Sequence, residues 1–255
     1  MLQQNMIRDK KMLIGLLLLY IAVHIVYTKL VLRLFDMPMR LSVMLQMASY
    51  IVIGGVGVFL FSEKIREGIQ VWKECWVKNI LFLFGAFILD IFLSNIACLP
   101  IMLLNPEYES INEHSVAELH GQFPTWLLII GLGIMGPVTE EVVFRLIPAF
   151  LCDRKVFVRG VRQMKMQSVF GSVGRRHFFM QEKMMQIIGI FVSAIIFMLI
   201  HINGFTPEEF LYNLPQFVAG MIYGTVMVFS RNATIPILLH IMNNLPAVMI
   251  LLLTQ

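Results

Sequence analysis

Between Arg40 and Glu63 the chain reads LSVMLQMASYIVIGGVGVFLFS, residues 41–62, twenty-two positions without a charge. A hydrocarbon core about 30 Å thick is crossed by about twenty apolar residues wound as a helix, so this run is long enough to span. Outward from it, Lys11 and Lys29 enclose seventeen more uncharged residues. Similar runs follow at 79–104, 125–152, 184–201, 210–230 and 233–253, beside 12–28 and 41–61. Seven membrane helices are predicted, or eight if the third or fourth run divides. With 58% hydrophobic and only 14% charged residues, the chain lacks the charge that a soluble domain of its length needs to cover its surface. Closed β-barrels would show short alternating segments, and nothing alternates. The expected fold is therefore all-α and polytopic, one membrane domain over 1–255, with N-terminal helices in 12–104 and a core in 125–253. Arg8, Lys10 and Lys11 precede the first run as in a signal peptide, but the run is long and no small-x-small cleavage site follows, so a retained helix is expected.

Charge divides the loops. Residues 154–183 carry eight Lys and Arg, and Lys64, Arg66, Lys73 and Lys78 mark 62–78, whereas 105–124 holds four glutamates and neither Lys nor Arg. Basic loops stay on the cytoplasmic side, which predicts a cytoplasmic N-terminus and a cytoplasmic 153–183 loop, either lying on the membrane surface or plainly solvated, since its hydrophobic spacing is irregular. The excess of 20 basic over 16 acidic residues then favours anionic lipid. No basic-aromatic groove or reader motif points to nucleic acid. Three widely spaced cysteines, Cys75, Cys98 and Cys152, make neither a disulfide framework nor a thiolate metal site.

An ionisable group at mid-bilayer costs about 2.5–3.5 kcal/mol, so those inside the runs carry the information. Glu140-Glu141-Val142-Val143-Phe144-Arg145 is the densest cluster. On a helix Glu141 and Arg145 share a face and can pair, while Glu140 points about 100° away. Glu140 is thus the candidate general base, with Glu141 and Arg145 in support. Phe197-x-x-x-His201 ends one run, and His240-x-x-x-Asn244 lies on the last, its two polar residues on one face. Taken singly, each has a plain structural reading: a buried ion pair, a helix-end histidine, interhelical packing glue. Asp90 and His24 read as structural. Together the set suits hydrolysis by an activated water with His and Asn donors at the oxyanion, and equally suits one divalent metal held by two histidines and a carboxylate.

These residues resemble the motifs of the CPBP family, the intramembrane CAAX-protease and bacteriocin-processing enzymes: E-E-x-x-x-R at Glu140, Glu141 and Arg145; F-x-x-x-H at Phe197 and His201; H-x-x-x-N at His240 and Asn244. Phe217, Gly220 and Gly224 add an F-x-x-G-x-x-x-G helix whose small residues permit close approach. The likeness covers 125–253; the first three runs carry only hydrophobicity. It implies an endopeptidase with its site in the bilayer, in which Glu140 and His201 activate water while His240 and Asn244 stabilise the oxyanion. An older reading of the family makes Glu140, His201 and His240 zinc ligands. Implied substrates are membrane-associated peptides or proteins: CAAX-type, bacteriocin or peptide pheromone. The alternative is a non-proteolytic immunity or regulatory protein that binds a sensor kinase or another membrane partner. The charge pattern and the lack of a eukaryotic targeting signal fit a bacterial cell membrane. Two departures are a long 153–183 insertion and Leu146, where the family often has glycine.

Straight spans would leave His201 near the outer face and His240 only about 10 Å in from Arg231. Tilted, short or broken spans around a protein-lined cavity are therefore expected, with Gly131, Gly133, Gly136 and Pro137 loosening the helix before the glutamates.

Overall fold

The computed structural model describes residues 11, 14–31, 39–108, 123–146, 172–202, 204, 206–230 and 232–253. Every element among them is helical. The first helix, α1, is α-wound over 14–20 and π-wound over Ile21–Val31. Then come α2 (Met39–Leu60), α3 (Ser62–Glu74) and α4 (Trp76–Leu104). Helix α5 runs from Thr125 to Leu146 in four stretches: α over Thr125–Leu128, π over Ile129–Met135, α over Gly136–Glu141 and π over Val142–Leu146. Helices α6 (Ser172–His201), α7 (Pro207–Tyr212), α8 (Leu214–Ser230) and α9 (Thr234–Leu253) complete the order.

Three helical stretches, Val43–Leu60, Trp76–Leu104 and Thr125–Arg145, are long and apolar enough to cross a membrane, and Ile14–His24 and Gln186–His201 are shorter apolar helices. Large apolar side chains face outward: Phe59 and Phe229 are each 77% exposed and Leu103 is 81% exposed, while Glu140, Glu141, Arg145, Asp90 and His240 are buried. Such an inside-out distribution suits lipid and not water. The chain is an all-helical membrane protein. The predicted runs are helical where described apart from turns at Phe61, Asn213 and Ala233; Asn213 divides the run expected over 210–230 between α7 and α8, and the third run is one unbroken helix despite Pro100. Two boundaries are corrected. The stretch expected as a loop at 62–78 contains α3, an amphipathic helix docked by the Trp72 indole on Thr234 Oγ1 at 2.8 Å and by Asn232 Nδ2 on the Gly68 carbonyl at 3.2 Å. The helix expected from 184 begins at Ser172, so the last third of the expected loop is helical; 153–171 lies outside the described residues.

Glycines set the closest helix contacts. A Cβ on Gly220 would stand 2.9 Å from the Ala194 backbone, and one on Gly224 would stand 3.1 Å from Ile190, so α8 meets α6 along the stripe anticipated from Phe217-x-x-Gly220-x-x-x-Gly224. Phe217 packs edge-on against Phe191 beside it. Gly54 and Gly57 of α2 likewise abut Thr139 and Val142 of α5, closer than any side chain would allow. One core cluster joins Leu16, Tyr20, Tyr50, Ile53, Val142, Phe144 and Phe197, holding α1, α2 and α6 around α5. A second joins α4, α8 and α9 through Leu83, Ile222, Tyr223, Ile235 and Leu239. The two glutamates sit between these clusters.

Candidate active site

Pro137 has no amide hydrogen to give, so the helical ladder is already incomplete one turn before the glutamates, and the chain is π-wound both before Gly136 and after Glu141. The expected loosening is present as π-winding within a continuous helix. Gly131 and Gly133 let Met47 of α2 and Leu245 of α9 close in on either side.

The structure brings Glu140, Glu141, Arg145, Phe197, His201 and His240 into one cluster. Glu141 Oε2 lies 3.6 Å from Arg145 Nε, the pairing expected from their spacing. Its other oxygen, Oε1, lies 3.0 Å from His240 Nδ1. A carboxylate only accepts, so Nδ1 carries the hydrogen and the Nε2 of His240 is turned to Glu140 Oε2, 3.7 Å away. His201 follows the same logic. Its Nδ1 is 2.7 Å from the Phe197 carbonyl, which also only accepts, and its Nε2 stands 3.9 Å from Glu140 Oε2. The Nε2 atoms of both imidazoles thus face a carboxylate oxygen that is buried and has no hydrogen-bond partner among the described residues. Separations of 3.7 and 3.9 Å are longer than direct hydrogen bonds, and such polar gaps are the ones that a bridging water closes.

Phe197, with no exposed surface, is the hub. Its ring lies 4.7 Å from the His201 ring and 5.6 Å from the His240 ring, and the Arg145 guanidinium sits 4.9 Å over it. Arg145 also lies 5.9 Å over Tyr223, so the ring faces take the charge of the guanidinium nitrogens that lack hydrogen-bond partners. Its Nη1 donates to Ser193 Oγ at 3.1 Å, and Ser193 donates to the Phe144 carbonyl at 2.6 Å.

Asn244 is half-buried on α9, one turn beyond His240. Its neighbour Asn243 is the amide that ties helices together, donating to Asp90 on α4 and, at 2.7 Å, to the Tyr223 hydroxyl. Asp90 also accepts from Ser94, one turn along. His24 is buried, stacked between Tyr20 and Tyr50 at 4.3 and 4.7 Å, and bonded to Ser49 at 2.6 Å. Both residues therefore have the structural surroundings expected of them.

Sequence reasoning missed two things. Glu141 serves His240 as well as Arg145, a contact between α5 and α9 that no spacing rule reveals. Tyr50, on a helix read as purely hydrophobic, donates to Glu140 Oε1 at 3.2 Å. A signal for it existed, since Gln46, Tyr50, Gly54 and Gly57 follow helical spacing and mark one polar, small-residue face.

For zinc, the donors have suitable chemistry, yet the carboxylate oxygen is 3.7 and 3.9 Å from the two imidazole nitrogens. Donors on a tetrahedral zinc with bonds near 2.0–2.1 Å lie about 3.3 Å apart. Among the described residues no group of three His, Cys, Asp or Glu side chains is arranged to hold a metal ion. The set as it stands does not fit the ion. An apolar groove of about 470 Å³ between α4 and α8, lined by Leu81, Phe82, Leu89, Ile222 and Phe229, includes none of the clustered residues.

Residues 122–246 match the model of the family described as type II CAAX prenyl endopeptidase Rce1-like. No curated protein and no solved structure matches the chain. The matched segment contains every motif residue and supports an intramembrane protease. Residues 122–246, just under half of the chain, are similar to the Rce1-like type II CAAX prenyl endopeptidases, in keeping with the CPBP motifs.

Proposed function

We propose that this protein is an intramembrane endopeptidase that hydrolyses peptide bonds of membrane-associated substrates with a water activated by Glu140. The observation that carries the proposal is the convergence of Glu140 Oε2, His201 Nε2 and His240 Nε2 on one buried spot. A water there can donate to the carboxylate and to an imidazole, so Glu140, aided by His201, takes a proton as the oxygen attacks the scissile carbonyl. Glu140 hands that proton to Nε2 of His240, 3.7 Å away, whose Nε2–H then steadies the oxyanion and is given to the leaving amine as the C–N bond breaks. The imidazolium form this requires is stabilised by Glu141 at Nδ1, much as a buried carboxylate supports the histidine of a catalytic triad. Asn244, facing the same side of α9, supplies a neutral donor to the oxyanion. No step in this scheme passes through a metal.

The substrates are peptides or proteins presented at the bilayer, of CAAX, bacteriocin or peptide-pheromone type, since the reacting groups are held by apolar helices. We further propose seven or eight spans in the cell membrane, with the N-terminus and the 153–183 region cytoplasmic, and one domain over 1–255.

The test uses purified full-length protein in lipid nanodiscs with a quenched lipidated peptide. Glu140→Gln, His201→Ala and His240→Ala are each expected to lower kcat by at least about a hundredfold in protein that still elutes as folded wild type. Full cleavage by the Glu140 and His240 variants would sink the proposal. So would a cellular phenotype that survives both changes, as expected of a partner-binding protein.

A further inference from the structure

We propose that Tyr50, which lies outside the segment matched to the Rce1-like family, is a positioning residue for Glu140 and determines which of its two oxygens does the chemistry. The inference rests on the peptidase reading. Tyr50 holds the Gly136–Glu140 stretch at three points. Its hydroxyl donates to Glu140 Oε1 at 3.2 Å. Its carbonyl, at 2.8 Å, shares the single Thr139 hydroxyl hydrogen with the Met135 carbonyl, at 2.7 Å. Its ring lies against Gly136, where an added Cβ would stand 3.5 Å from Tyr50 Cε2.

A carboxylate can rotate and exchange its oxygens. With Oε1 engaged by a phenol, Oε2 is the oxygen turned to His201 and His240. Tyr50 is itself fixed. Gln46 Nε2 donates to its hydroxyl at 3.2 Å, and its ring stacks on His24, which stacks on Tyr20. Ser49 gives its hydrogen to the Gln46 carbonyl at 2.7 Å, so the His24 ring donates to Ser49 at 2.6 Å and is held in turn. The column Tyr20, His24, Tyr50 is buried throughout. Its outcome is a phenol aimed at one carboxylate oxygen, and a base positioned this way needs no reorganisation when the proton moves.

The experiment compares wild type, Tyr50→Phe, Glu140→Asp and the double variant, all full length in nanodiscs. Phe keeps the ring and its stacking and removes only the hydroxyl. Losing a hydrogen bond to the buried carboxylate predicts a fall in kcat of about ten- to a hundredfold with KM unchanged, in protein that still elutes as folded wild type. Glu140→Asp withdraws the carboxylate from the phenol, so adding Tyr50→Phe to it should cost less than about threefold more, a non-additivity that packing alone does not produce. A Tyr50→Phe enzyme with wild-type kcat, a change confined to KM, or strictly multiplicative losses overturns the inference while the peptidase reading stands. Wild type that cleaves nothing overturns both.

Discussion

At the scale of residues, the unequal roles of the two glutamates follow from their partners. Glu140 and Glu141 are adjacent in sequence and each keeps its Oε2 without a hydrogen-bond partner among the described residues, yet Glu141 is held by Arg145 and the Nδ1 of His240, whereas Glu140 is held by Tyr50 and faces the Nε2 atoms of His201 and His240. Replacing Glu141 by Gln removes the charge that balances Arg145 and supports a protonated His240. The expected outcome is a melting-temperature loss equivalent to about 3 kcal/mol together with a large drop in kcat, because breaking a buried pair leaves an uncompensated charge. A catalytic drop without any loss of stability would contradict the structural half of that role. Tyr108 marks a second use of a buried carboxylate, outside the spans. Burial, and then its 2.6 Å hydrogen bond to Glu209, raise its phenol above the ordinary range. A raised phenol keeps its contact throughout neutral pH and loses it only as pH climbs through the raised value. Tyr108→Phe should therefore loosen α7 from α4 equally at pH 6 and pH 8, measured by hydrogen exchange over Pro207–Tyr212.

Among the elements, close approach governs what can change. Val142 has no exposed surface, and its stiff β-branched side chain fills the place where a Cβ on Gly57 would go. Gly57→Ala is expected to push α2 off α5 and lower stability by about 1–3 kcal/mol, read as a melting shift. Since Tyr50 rides on the same face of α2, activity should fall with it. Much of this was legible beforehand: the apolar runs gave the helices, the spacing of Glu141 and Arg145 gave their pairing, and Gly220 and Gly224 gave the seam between α6 and α8. What escaped had physical reasons. Period and spacing describe one helix at a time, so the reach of Glu141 to His240 and of Tyr50 to Glu140, across 99 and 90 residues, has no local trace. The π-winding of α5 escaped as well, because glycines and a proline announce a weakened ladder without saying how it is rewound. That winding is testable. Deleting one residue within 129–135 should turn the glutamates about 100° relative to the start of α5 and abolish cleavage while leaving an inserted, helical protein. Retained activity would mean that the winding is incidental.

At the scale of the whole molecule, the proposed topology and chemistry are separable. Cysteines introduced singly in 153–171 should react with an impermeant thiol reagent only from the cytoplasmic side, in a variant whose Cys75, Cys98 and Cys152 are replaced by serine. Labelling from outside would reverse the proposed orientation. Stripping metal with a strong chelator should leave at least about half of the activity, with zinc well below one per chain, in line with donors spaced too widely for the ion. Loss of activity that zinc alone restores would revive the metallo-enzyme reading. Finally, the chain supplies its reacting groups in a telling order: Tyr50 first, then Glu140, His201 and, on the last described helix, His240. A ribosome delivers them in that sequence. From Glu140 until His240, 100 residues later, the bilayer holds a glutamate with its positioning phenol and no second imidazole, so under the proposed mechanism a nascent copy cannot cut its neighbours. In the proposed mechanism hydrolytic competence arrives only when α9 seats beside α5, which makes that docking the event that arms the site.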